Sequence, residues 1–331
     1  MMTGKLNWDV LQKLLKENQG AFREEVLNPG GIGEDCAVVK IGDEKLILTT
    51  DPVTAASVDI GHIAFHINVN DLATTGARPL GVMVTILAPS TSSLEEIQSI
   101  MMEISREAKK DGVMVIAGHT EVTDAVNRTI VSITAIGTMD RDDQVVLTRG
   151  AKVGDRIIVT KSLGLEGTSI IANEFQEEAL KVLSDEELVQ GKDYAKELSV
   201  LKEGRLLRHM ASSMHDITEG GLLGALWELK EASGNGFLVH EERLPVRSVT
   251  RKLCNHFKLD PLKLISSGSM LVTVTDGEEA MALLEANNVE AHLIGEVTKE
   301  GSYLYTSTSK VHINPPKRDE IYKLFDMGEE E

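Results

Sequence analysis

Two β-rich runs, CAVVKI at 36–41 and KLILTT at 45–50, are separated only by Gly42-Asp43-Glu44. So short a connection makes a hairpin of neighbouring antiparallel strands. A parallel crossover would need a dozen or more residues. With the strand and helix pattern that follows, it looks like an α+β arrangement and not a strictly alternating doubly wound sheet.

The next segments extend that pattern. A helix is expected from about Ile60 to Thr75, stopped by Gly76 with Pro79 beyond it. GVMVTILAP then reads as a strand ended by Pro89, and Ser92 or Ser93 is placed to cap a following helix. In that helix Leu94, Ile97, Met101, Ile104 and Ala108 recur at helical spacing. VMVIAG and RTIVSITAIGTM are expected to complete the first half as strands. Gly150-Ala151-Lys152-Val153-Gly154-Asp155 has turn composition and precedes a new strand, DRIIVTK, so the chain divides into 1–149 and 150–331. The charged stretch 174–203 reads as solvated helices. It is followed by a helix at 218–233, a strand at SMLVTV, a helix at 276–287 and a strand at HLIGEV.

Composition narrows the function classes. A formal charge of −18 and only 4% aromatic residues disfavour nucleic-acid binding, which needs clustered cations or stacking platforms. The amino terminus reads as an amphipathic helix and not as a signal peptide, and no apolar run approaches the ~20 residues of a spanning helix. A cytoplasmic protein without membrane partners is the expectation. Two cysteines, Cys36 and Cys254, make neither a disulfide framework nor a four-thiolate zinc site, and each reads as a small buried residue.

Three stretches carry chemistry. GGIGEDCAVVKIG, 30–42, lets a glycine loop with Gly31 and Gly33 approach a ligand and sets Glu34-Asp35 beside it, although such a turn commonly has no ligand. It lacks the Gly-Lys-Ser/Thr of a phosphate loop and has no following helix. In LTTDPV, Asp51 ends a strand. In HINVNDLATTGARPLGV, Asn68, Asn70 and Asp71 lie inside a helical pattern, where such side chains weaken the helix by competing for its backbone hydrogen bonds. Packing explains them in part; oxygen ligation explains the residue types better. Asp35, Asp51 and Asp71 come from three elements, and scattered carboxylates suit Mg²⁺ better than a soft metal. His62 and His66 share a helix face, yet no third ligand stands at suitable spacing, so packing or a dimer interface is expected of them and zinc is not.

GIGEDCAVV, TTDPV with DIGHIA, NVNDLATTGARPLGV, AGHTEVTD and HDITEGGLLGALWEL occur in this order. Together they resemble the superfamily of aminoimidazole ribonucleotide (AIR) synthetase, the hydrogenase-maturation factor HypE, thiamine-monophosphate kinase and selenophosphate synthetase. The likeness runs from about residue 30 to about 325 and is nearest to HypE-like, AIR synthase-related proteins. It implies an ATP-binding protein of two α/β domains, whose amino-terminal domain has a mixed sheet that pairs in a homodimer. The nucleotide would lie near that interface under a glycine-rich segment. Asp35, Asp51 and Asp71 correspond to the family residues that hold magnesium against the ATP phosphates. Gly31, Gly33, Asn68, Asn70, Gly118, Thr120, Thr218, Glu219 and Gly220 fall in the nucleotide-facing motifs. Asp216, Glu121 and His119 are the candidate catalytic groups.

Departures from the family qualify this. His119 stands after Gly118 where many relatives have an acid, and Glu121 is the carboxylate available two residues on. The sequence printed ends in FDMGEEE without a cysteine, so the terminal-cysteine chemistry of HypE is not expected. In MHDITEGGLLGALWEL, Asp216 or Thr218 is expected to cap the helix and Gly220-Gly221 to open its first turn to anions, while Leu222, Leu223, Leu226 and Leu229 form a buried stripe. The leading expectation is an ATP-dependent enzyme that activates an amide-like oxygen of a small molecule or a partner tail. A non-catalytic ATP-binding accessory protein and a small-metabolite kinase are the alternatives.

Overall fold

The computed structural model describes residues 6, 8–54, 56–314 and 318–327. In chain order the first half comprises α1 (Trp8–Glu17), β1 (Val26–Asn28), β2 (Ala37–Ile41), β3 (Glu44–Val53), α2 (Ile60–Thr74), β4 (Arg78–Ala88), α3 (Leu94–Asp111), β5 (Met114–Val122) and β6 (Ile130–Met139). The second half begins with β7 (Arg156–Thr160), α4 (Leu165–Glu174), α5 (Gln176–Ala179), α6 (Asp185–Asp193), α7 (Leu201–Leu207), β8 (Ala211–Ile217) and α8 (Gly221–Ser233). It continues through β9 (Gly236–His240), α9 (Ser248–Phe257), β10 (Ser269–Val274), α10 (Gly277–Ala286), β11 (Ala291–Thr298), β12 (Ser302–Tyr305), β13 (Lys310–His312) and α11 (Tyr322–Met327).

The two halves build two mixed sheets flanked by helices. The first has the order β1-β2-β3-β6-β4-β5, and the second β13-β12-β9-β11-β7-β10-β8. The hairpin is present as β2 and β3, with Ile41 opposite Glu44. Most pairs are antiparallel; β4–β5 and β12–β9 are parallel.

α2 organises the molecule. Fourteen of its fifteen residues are buried, because the first sheet, α3, and α7 and β8 of the second half all pack on it. A helix covered on every side has no solvated face, so the polar residues of α2, among them His62, His66, Asn68, Asn70 and Asp71, are buried with the apolar ones. Glycines permit the close approach. A Cβ on Gly61 would lie 2.4 Å from the Ile100 carbonyl oxygen, and one on Gly204 2.3 Å from that of Ala73. α3 starts at a capping box in which Ser93 accepts from the Glu96 amide and the Glu96 carboxylate accepts from Ser93, an arrangement worth about 1 kcal/mol.

Three expectations need correction. Leu94 and Met101 are exposed, and Ile97, Ile100, Ile104 and Ala108 make the buried stripe of α3. The 174–203 stretch is not only a solvated face, since Ala179, Leu183, Leu188, Tyr194, Leu198 and Val200 are buried in it. Its charged residues ring an apolar seam that packs on α4 and α9. The cap of α8 is Gly220 in left-handed conformation, with no side-chain cap from Asp216 or Thr218. Asp216 ends a strand instead, and the Gly220 amide donates to Asp319 Oδ2 at 2.6 Å.

One face of the first sheet carries α2 and α3. On the other face the alternating residues Leu46, Leu48, Thr50, Ser132, Thr134 and Ile136 are partly or fully exposed, and among the described residues no helix covers them. All nine residues of the edge strand β5 are exposed, including Met114, Val115, Ile116 and Val122. Among the described residues no helix is long and apolar enough to cross a membrane.

Candidate functional site

Four aspartates from four elements meet where the first sheet faces the edge of the second. Asp71 lies in the last turns of α2, and its Oδ2 accepts from Thr49 Oγ1 of β3 at 2.6 Å. Asp51 follows on β3, where Asn68 Oδ1 accepts from its amide at 2.8 Å. Asp35 precedes β2, and Asp216 closes β8. The loop that carries Asp35 is pinned against α8. Gly33 has φ +72°, and a Cβ there would lie 2.8 Å from the Glu228 carbonyl oxygen. Only glycine fits both demands.

The carboxylates feel one another. Burial pushes the Asp71 carboxyl well above its usual range, and the charges of Asp216, Asp35 and Asp51 push it further. Asp216 is raised to about 7, by burial first and then by Asp35, with His215 opposing and Asp51 adding. Asp216 Oδ2 is buried without a hydrogen-bond partner. Acids that raise one another in this way create a demand for a cation.

His215 supplies part of it. Its Nδ1 is 3.3 Å from Asp35 Oδ2 and its Nε2 is 2.8 Å from Glu228 Oε2. Burial works against its charge, but those two carboxylates outweigh burial and hold the imidazole well above its ordinary range. Ligand atoms of Asp35, His215 and Asp216 lie within 4.8 Å of one another. Arg149 closes the rim: its amide donates to Glu34 Oε1 at 3.0 Å and its guanidinium to Asn28 Oδ1 at 2.7 Å. Burial raises the Glu34 carboxyl, while Arg149 pulls it back.

The sequence reading does not reach His215, Glu228 and Arg149, and it names Glu34 only as the neighbour of Asp35 in the glycine loop. For His215 the signal was present in the His-Asp pair of HDITEGG, but its partners lie 180 residues before it and 13 after it.

The other candidates divide into three groups. Asn68 and Asn70 are occupied by backbone: Asn68 spans Asp51 and the Ala64 carbonyl, and Asn70 donates to the Leu198 carbonyl and accepts from the Val200 amide. They join α2 to β3 and to the second half. Gly118 and Thr120 lie on the α3 side of β5, around an apolar cavity of about 260 Å³ that Val84, Ile86, Met101 and Ile104 help to line. A Cβ on Gly118 would meet the Val84 carbonyl oxygen at 2.2 Å, so the glycine also serves strand pairing. His119 and Glu121 are paired at 3.2 Å and exposed, opposite Thr85 and Leu87 on the open face. Asp51 points to the helix-covered face, as its alternation with exposed Thr50 and Pro52 requires. Within one chain, therefore, His119 and Glu121 stand apart from the aspartates. Thr218 and Glu219 lie between β8 and α8, and Gly221, with φ +61°, donates to the Thr218 carbonyl.

Comparison with known proteins agrees with this architecture. The N-terminal domain of AIR synthase related proteins matches residues 33–139, and the C-terminal domain of the same proteins matches 152–306. The chain belongs to the AIR synthase related family. A chain of Methanocaldococcus jannaschii that bears the name hydrogenase expression/formation protein is 30% identical over 95% of this chain and 96% of its own length. The carbamoyl dehydratase HypE of Rhodobacter capsulatus is 30% identical over 72% of this chain and 70% of its own. Among solved structures, the hydrogenase maturation protein HypE in complex with ATP superposes with a TM-score of 0.73 at 22% identity, covering 93% of this chain and 95% of that one. That last likeness concerns the fold. In this AIR synthase related chain both matched domains contribute to the aspartate cluster: Asp35, Asp51 and Asp71 from the first, Asp216 from the second.

Proposed function

We propose that this chain is an ATP-dependent enzyme that activates an amide-like oxygen of a small molecule, or of a partner protein's tail, by phosphoryl transfer. The convergence of Asp35, Asp51, Asp71 and Asp216 carries this reading. Their mutually raised carboxyls and the orphaned Asp216 Oδ2 fit a hard divalent cation. A relative named carbamoyl dehydratase and a HypE solved with ATP support the chemistry and the cofactor.

Magnesium and ATP, when bound, supply the transferable phosphoryl group and the charge that makes its transfer feasible. The chain's own residues do the positioning. Asp35, Asp51 and Asp71 are the magnesium ligands, with Thr49 fixing the Asp71 carboxylate. The 31–35 loop, with Gly31 and Gly33, offers backbone to the phosphates. Asp216, raised to about 7, holds or releases a proton at the acceptor group near neutral pH. His215 stays cationic between Asp35 and Glu228 and fixes the Asp35 carboxylate. The acceptor's carbonyl oxygen takes the phosphoryl group and then leaves as phosphate, which permits dehydration or cyclisation.

The uncovered sheet face and the exposed edge strand support a homodimer. In it, His119 and Glu121 of one chain face the partner and border the nucleotide site, while Gly118 and Thr120 support β5 from its α3 side. Thr218, Glu219 and Gly220 border the acceptor side. Domains of 1–149 and 150–331 and a cytoplasmic location accompany this reading.

The test is incubation with Mg-ATP and metabolite pools, or with carbamoylated or amide compounds, followed by mass spectrometry. ADP and phosphate formed together with a product that has lost water support the proposal. A stable phosphoester would make the chain a kinase, and ATP binding without turnover of any compound would make it an accessory protein.

A further inference from the structure

His62 and His66 stand one turn apart on α2 and face Glu107 of α3. His62 Nδ1 is 3.3 Å from Glu107 Oε1, and His66 Nε2 is 3.5 Å from Glu107 Oε2. All three residues are buried, at 8%, 5% and 3% exposure, and their candidate ligand atoms lie within 4.8 Å of one another. Glu107 is the third ligand that the sequence did not reveal, because it lies 41 residues beyond His66 on another helix.

The separations suit a common ion. Donors bound tetrahedrally at about 2.0–2.1 Å stand roughly 3.3 Å from one another. The ring of His62 is also oriented for ligation. Its Nε2 lies 2.7 Å from the Ala195 carbonyl oxygen, which can only accept, so Nε2 carries the hydrogen and Nδ1 is turned to Glu107. A backbone carbonyl behind the imidazole is the usual support of a metal-binding histidine.

A second observation points the same way. The Nδ1 atoms of His62 and His66 are buried with no hydrogen-bond partner. Buried polar atoms left so are uncommon, and a cation between His62 and Glu107 would satisfy the first of them.

We propose that His62, His66 and Glu107 form a zinc-type site that fastens α2 to α3, separate from the aspartate cluster. Two imidazoles and one carboxylate select a borderline transition metal over magnesium. Asp71 lies five residues beyond His66, about 7.5 Å farther along the helix axis. Arg106 and Lys110 bind the Glu107 carboxylate at 2.8 Å from the solvent side. They orient it from outside the cluster.

The experiment uses the full chain, freed of metal by chelator and held in excess Mg²⁺. Co²⁺ is the spectroscopic probe and Zn²⁺ the competitor. One equivalent of Co²⁺ should give the visible bands of four- or five-coordinate cobalt, and one equivalent of Zn²⁺ should abolish them. His66→Leu, which sacrifices no hydrogen bond at Nδ1, and Glu107→Gln should each weaken Co²⁺ binding at least tenfold, whereas Asp71→Asn should leave the bands unchanged. Bands that are absent, that persist in His66→Leu or that vanish in Asp71→Asn would overturn the proposal. X-ray absorption of the wild-type zinc form gives a test independent of folding in the variants. Imidazole scattering supports the site, and an all-oxygen shell rules it out.

Discussion

His215 Nδ1 lies 3.3 Å from Asp35 Oδ2, and this contact ties the edge strand of the second sheet to the glycine loop of the first half. The aspartate cluster is thus assembled between the halves and depends on how they dock. Trp8 of α1 adds to the docking by packing its ring on Trp227 of α8, with centroids 4.8 Å apart. A ligand that bridges the cluster should stabilise the whole chain and not one half alone.

The first expected outcome follows directly. Mg-ATP should raise the melting temperature of the wild type, as any ligand of the folded state must. Asp71→Asn should largely remove that increment. The metal-free variant should melt no lower than the wild type, because the carboxylate it replaces is already disfavoured by burial and three neighbouring acids. Differential scanning calorimetry with and without Mg-ATP checks both halves of this claim. An unchanged increment in the Asn variants of Asp35, Asp51 and Asp71 alike would remove the basis for the magnesium assignment.

A pH effect is expected away from the cluster. Glu166 of α4 is fully buried and raised to about 7, chiefly by burial, with Ser267 opposing and Asp319 adding to the rise. A carboxyl whose folded value exceeds its unfolded value contributes stability that is complete below about 4.5 and is lost as pH climbs through about 7. The rise corresponds to roughly 3 kcal/mol at about 1.4 kcal/mol per pH unit. Glu166→Gln cannot titrate, so its urea-unfolding free energy should fall less than that of the wild type between pH 5 and pH 8. Parallel curves for the two proteins would contradict the assignment.

What could be read in advance follows from the range of the forces concerned. The β2–β3 hairpin and the Ser93 cap are local, so a few consecutive residues sufficed to place them. Asp71 was legible because an acid inside a helical pattern demands an explanation. Asn68 and Asn70 stood out for the same reason, but their partners are backbone groups of β3 and of residues 198 and 200, which no local pattern reveals. The burial of the 174–203 seam and the meeting of His62 and His66 with Glu107 depend on packing between distant elements. At the start of α8 the Gly220 amide donates to a distant acid, Asp319, which no local pattern reveals.

The uncovered face of the first sheet leads to an assembly test. Light scattering at micromolar protein should return about twice the 36.1 kDa chain mass. Ile136→Glu places a charge at the centre of that face, opposite Leu48, and should shift the mass towards one chain while circular dichroism stays unchanged. If His119 and Glu121 complete a site across the interface, the same variant should also lose its response to Mg-ATP. A wild type that scatters as a single chain would rule the dimer out.

The thiols lead to the last expectation. Cys36 is 3% exposed, and its Sγ donates to the Asp71 carbonyl oxygen at 3.3 Å; burial and then the charges of Asp71, Asp35, Asp216 and Asp51 push it well above the usual thiol range. Cys254 is 1% exposed and raised to about 12, by burial first and then by Asp260 and Glu320. Neither forms a thiolate near neutral pH, and the thiolate is the nucleophile. Neither, then, is suited to carry an acyl group to the aspartate cluster. Residues 328–331, whose sequence carries no cysteine, lie outside the described residues. Iodoacetamide at pH 8 should leave both cysteines unlabelled in the folded chain and label both after unfolding in urea. The Cys36→Ser, Cys254→Ala double variant should retain ATP turnover within about threefold of wild type once an acceptor is found. Rapid labelling of either thiol in the folded chain, or a loss of turnover beyond tenfold in a double variant that still binds Mg-ATP, would assign the carrier role to a cysteine instead.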